Sequence, residues 1–78
     1  MSKPVVIEVT RENFLGSPDR FYFIGKAGVP GFREPVLTDD KNVATVYKSS
    51  KSALRDVGWL NRYYSYHIVS YKVSIVKL

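Results

Sequence analysis

The stretch YSYHIVSYKVSIVKL, residues 64–78, sets His67, Val69, Tyr71, Val73 and Ile75 on one side of an extended chain. Tyr66, Ile68, Ser70, Lys72, Ser74 and Val76 fall on the other. A two-residue period belongs to a β-strand, where successive side chains point to opposite faces. The pattern predicts a long closing strand, and a strand needs neighbours to take up its backbone hydrogen bonds. The rest of the chain must supply them.

It offers two clear runs and two brief ones. VVIEVT places Val5, Ile7 and Val9 on one face and Val6, Glu8 and Thr10 on the other. RFYFIGK alternates Phe21, Phe23 and Gly25 with Tyr22, Ile24 and Lys26, so that both faces are largely apolar. The cluster Gly16, Ser17, Pro18 and Asp19 separates these two strands as a turn. Pro30-Gly31 suits the central positions of a type II turn and predicts a hairpin bend. Pro35 lacks an N–H, which assigns the short strand around Val36 and Leu37 to a sheet edge. TDDKN reads as a turn or a single helical turn, and ATVYK as a further brief strand.

One segment breaks the two-residue rhythm. Ser49 and Ser50 can cap a helix, after which Ala53, Leu54, Val57, Leu60 and Tyr64 share about a third of a helical circumference and form its core face. Gly58 leaves two readings open. The helix stops there with Trp59 folded back as a core cap, or it continues and puts Trp59 outside. The fold expected is α+β: a small antiparallel sheet of three to five strands with one helix packed on one face, in a single domain spanning residues 1–78.

Composition narrows the chemistry. A 78-residue chain without cysteine has no disulfides, no thiolate nucleophile and no cysteine-based zinc site, and its core is thin. His67 is the only histidine, so the usual transition-metal ligand sets cannot form and it reads as a packed or half-exposed strand residue. Asp39 and Asp40 lack the spacing of a calcium loop, and Gly25, Gly28 and Gly31 match neither phosphate-loop pattern. No paired acid and base stand out, and neither catalysis, nor a metal, nor a cofactor is expected. The N-terminal segment is too broken for a signal peptide and no run is long enough to span a bilayer, which leads to the expectation of a cytoplasmic protein without membrane contact.

Charge is unevenly spread. The net charge of +5 divides into −1 over residues 1–40 and +6 over residues 41–78, where Asp56 is the single acidic residue. On a helix that continues past Gly58, Arg55, Trp59, Arg62 and Tyr63 form one aromatic strip flanked by guanidinium groups. Lys48 and Lys51 lie at the helix start, where the dipole gives cations no benefit. These six residues are the candidate binding site. The side-chain types suit a protein interface, and they also suit nucleic-acid bases stacking beside basic groups.

The succession RFYFIGKAG, REPVLTDDKNVATVYKSSKSALRDV and YHIVSYKVSIVKL resembles the layout of small bacteriophage accessory proteins over about residues 20–76. The resemblance implies a host-takeover or anti-defence role of the anti-CRISPR kind, exercised in the host cytoplasm by occupying a surface. It carries over no functional residues. The expected function is that of a non-catalytic binding protein, a phage-type inhibitor or modulator of a host protein or nucleoprotein complex, acting through its basic, aromatic C-terminal half. The alternative is a small RNA- or single-stranded-DNA-binding protein, and exposed sheet edges also allow a homodimer.

Overall fold

A computed structural model describes residues 3–12, 16–67 and 69–78. Four strands, β1 (Val5–Arg11), β2 (Asp19–Val29), β3 (Phe32–Thr38) and β4 (Tyr71–Lys77), form one antiparallel sheet in the order β3-β2-β1-β4. A single helix, α1 (Ser50–Tyr64), connects the two sheet edges and lies across one face, so the fold is α+β as the patterning predicts. Pro35 does sit on an edge strand.

The core follows from the alternation. Val5, Ile7 and Val9 of β1 are buried together with Phe23 of β2 and Ala53, Leu60 and Tyr64 of α1, while Leu37, Val57, Tyr71, Val73 and Ile75 pack around them. Val6, one position out of phase, is fully buried as well. With both sides of its first half covered, β1 is an interior strand in burial as well as in order.

β1 and β2 pair only from Glu8↔Tyr22 to Arg11↔Asp19. Beyond that point the β2–β3 pairing shifts register between Phe23 and Gly25, and β2 departs from β1. The segment Ala44–Tyr47 fills the opening. Thr45 donates from its N–H to the Phe23 carbonyl (3.1 Å) and from its hydroxyl to the Ile24 carbonyl, and Tyr47 exchanges both backbone bonds with Val5 (2.8 and 3.0 Å). ATVYK therefore forms one isolated bridge and no strand, because each neighbour offers it only one or two partners. Just before it, the TDDKN turn is a 3-10 turn over Lys41–Val43, with the Asp40 carboxylate accepting from the Asn42 N–H at 2.9 Å.

Of the two readings of Gly58 the helix takes the second, running straight through to Tyr64, with Ser49 and Ser52 forming a capping box at its start and Ser65 closing it. Other expectations are corrected. Leu54 is 57% exposed and outside the core. The last strand begins at Tyr71 and not near Tyr66, since the chain from Ser65 to His67 finishes the helix: the Ser65 and His67 N–H groups donate to the Asn61 and Tyr64 carbonyls, both at 3.1 Å. His67 is thus no strand residue, and Ile68 lies outside the described residues.

Candidate binding cleft

The β2–β3 hairpin is longer than the sheet it belongs to. Past Gly25 it pairs only with itself, from Gly25↔Val36 to Val29↔Phe32, and turns at Pro30-Gly31, where Gly31 has φ +91° as a type II turn requires. Gly28, with φ +109°, faces Arg33 across the ladder. The overhang carries Gly31 and Arg33 toward the C-terminal half of α1. Between them lies an open cleft of about 550 Å³, lined by Gly31 and Arg33 on one side and by Trp59, Arg62, Tyr63, Tyr66 and His67 on the other.

Trp59, Tyr63 and His67 of the lining belong to a ladder of rings. Trp59 stacks on Tyr63 (centroids 5.6 Å apart, planes at 22°) and leans on Phe23 at 6.4 Å. Tyr63 meets Tyr64 edge-on at 5.2 Å, and Tyr64 stacks on Tyr71 at 4.2 Å. His67 closes the ladder, 4.9 to 5.6 Å from the rings of Tyr63, Tyr64 and Tyr71. Its Nδ1 lies 3.1 Å from the Tyr63 carbonyl oxygen, which can only accept, so Nδ1 is the donor of this hydrogen bond. Burial, more than the neighbouring Tyr71 and Tyr63, pushes the Tyr64 hydroxyl up to about 12.

Trp59 is pinned from below. Lys26 places its ammonium 4.7 Å from the indole centroid and 3.3 Å from an Asp56 carboxylate oxygen, and the other Asp56 oxygen accepts from the Tyr47 hydroxyl at 2.6 Å. Burial, with the carboxylate as the second cause, raises the Tyr47 hydroxyl well above the usual tyrosine range. Trp59 is accordingly neither the core cap nor the freely exposed ring that the two readings of Gly58 predict: it is half-buried, held at the cleft wall.

The structure gathers three of the six candidate residues, Trp59, Arg62 and Tyr63, into the cleft. Arg55 and Lys51 lie up the same helix, within about 40° of Arg62 around its axis and about 10 and 16 Å along it. They extend a basic stripe away from the cleft without lining it. Lys48 precedes the helix cap and is exposed. Sequence patterning misses Gly31, Arg33, Tyr66 and His67 as wall residues; the length of the glycine-containing hairpin is a signal for Gly31 and Arg33 alone.

The ion pairs among the described residues join Arg11 to Asp19, Arg20 to Glu8 and Lys26 to Asp56. Neither arginine of the cleft takes part, and no carboxylate lines it. Among the described residues, no group of three metal-capable side chains occurs and no helix is long and apolar enough to cross a membrane. No family model, no curated protein and no solved structure matches the chain.

Proposed function

We propose that the protein is a non-catalytic binding module, a phage-type inhibitor or modulator that seats a host protein or nucleoprotein complex against this cleft in the host cytoplasm. The observation that carries the reading is the cleft's composition: Trp59, Tyr63 and Tyr66 beside Arg33 and Arg62, with no acidic wall residue. Trp, Tyr and Arg are the residues that concentrate binding energy at protein interfaces, because they combine large rigid contact area with directed hydrogen bonds. Occupying a surface needs no reacting group.

The basic stripe Lys51, Arg55 and Arg62 supports a second reading, a single-stranded nucleic acid tracking along the helix. Affinity capture from bacterial lysate separates the two. Under the first reading one protein is retained with or without nuclease, and it is lost with Arg33→Glu/Arg62→Glu. Capture that vanishes on nuclease treatment supports the second. Retention unaffected by the double substitution overturns the cleft as the binding surface.

A further inference from the structure

We infer that the cleft takes a short acidic segment of a protein partner, with Arg33 and Arg62 each holding a carboxylate across an apolar or aromatic side chain that lies against Tyr66 and the rims of Trp59 and Tyr63. The inference rests on the reading of the cleft as the binding surface and adds the chemistry of its occupant.

Charge gives the sign. Arg33 and Arg62 both line the opening, outside every ion pair among the described residues, and no carboxylate in the lining offsets them. A guanidinium fork matches a carboxylate with two parallel hydrogen bonds. Phosphate would satisfy the same fork, so the rings must decide between peptide and nucleic acid.

Base stacking needs open ring faces in succession. The cleft does not offer them. The Trp59 ring is engaged by Lys26 from β2, by Tyr63 from the next helical turn and by Phe23 beneath. The Tyr63 ring is shared among Trp59, Tyr64 and His67. Tyr66, 89% exposed, remains as one open platform. Rings used internally present edges, hydroxyls and an indole N–H, which suit side chains and backbone carbonyls better than a column of bases. The volume of about 550 Å³ accommodates a few side chains, within the range of about 300–1,000 Å³ typical of small-ligand sites. Arg55 and Lys51, further up the helix, steer an acidic partner toward the opening.

Trp59 is the only tryptophan, so its emission reads the cleft directly. The probes are an octapeptide alternating glutamate with leucine, the same peptide with lysine for glutamate, and a ten-nucleotide oligothymidylate, each titrated at about 0.15 M salt. The glutamate peptide should shift Trp59 emission saturably and bind at least about tenfold more tightly than either control. Arg33→Glu/Arg62→Glu should lose that binding with an unchanged far-ultraviolet spectrum and melting curve, and Arg33→Lys/Arg62→Lys should weaken it by keeping the charge without the fork. Tighter binding of the oligothymidylate, or no saturable response to the glutamate peptide, overturns the inference. A silent peptide with protein capture that still depends on Arg33 and Arg62 rejects the acidic segment and leaves the cleft standing. Loss of both removes the binding reading itself.

Discussion

Asp56 is the one carboxylate among the last 38 residues, and it is spent inside the molecule. By accepting from the Tyr47 hydroxyl and pairing with Lys26 it ties the filler segment, the hairpin and the helix together, and it sets the height at which Lys26 supports the indole. Replacing it with asparagine keeps the shape and removes the charge. Asp56→Asn should cost about 1–2 kcal/mol in urea unfolding and alter the native emission of Trp59 as Lys26 moves. The tyrosines make a second expectation. Tyr47 and Tyr64 both hold their protons more tightly folded than unfolded, Tyr64 up to about 12. A raised acid contributes stability that is complete below its unfolded value near 10 and is lost as pH climbs toward the folded one. Stability should therefore be level with respect to these groups up to about pH 9 and fall between about pH 10 and 12. In Tyr64→Phe the fall should be shallower by close to one proton, about 1.4 kcal/mol per pH unit. A melting series across that range with no difference between the two proteins would refute it. The sequence singles out Asp56 by its rarity, yet only tertiary packing shows that it neutralises a residue thirty positions upstream.

At the level of elements, glycine has opposite meanings at two sites. Gly58 lies inside α1, is exposed, and has open space where a Cβ would stand. Gly58→Ala should raise stability by about 0.5–1 kcal/mol through helix propensity, seen as a higher urea midpoint at constant slope. Gly28 holds φ +109°, and a Cβ there would collide with the Phe32 carbonyl oxygen. Gly28→Ala should cost more than about 1 kcal/mol and distort the hairpin that positions Arg33. Those two outcomes bear on what patterning can reveal. The sheet, the edge proline and the capped helix start are legible because each is a local rule about turns, alternation or capping. The end of the helix is not, because Leu60, Tyr64, His67 and Tyr71 are spaced by four, three and four residues, which fits a helical face as well as Tyr71, Val73 and Ile75 fit a strand. Leu54 escapes for another reason. The hairpin and Lys26 cover the Trp59 side of α1, so the buried arc is rotated toward Asp56 and Tyr63 and away from Leu54.

For the molecule as a whole, the core and the cleft draw on largely different residues, with Trp59 and Tyr63 shared between them. The core rests on β1, β4, Phe23 and the buried arc of α1, whereas the cleft lies where the hairpin tip approaches the helix end. Dividing the charge by halves of the sequence locates Arg62 and overlooks Arg33, because the acidic front half contributes its arginine through a contact that no local pattern encodes. The separation has a measurable consequence. Arg33→Glu/Arg62→Glu replaces two positive charges with two negative ones and lowers the formal net charge from +5 to about +1. Neither arginine is in an ion pair among the described residues, so the exchange breaks no salt bridge and relieves like-charge repulsion. Stability should therefore stay within about 0.5 kcal/mol of the parent or exceed it at low salt. The parent, self-repelling at +5, should gain melting temperature between about 0.01 and 0.15 M salt as the screening length falls from about 30 to 8 Å, while the variant changes little. Equal salt responses in the two proteins would show that the cleft arginines do not act as uncompensated charge, and a large loss of stability in the variant would show that they hold the fold together. The expected result, intact folding with a flattened salt response, makes this double substitution the clean control for every binding measurement at the cleft.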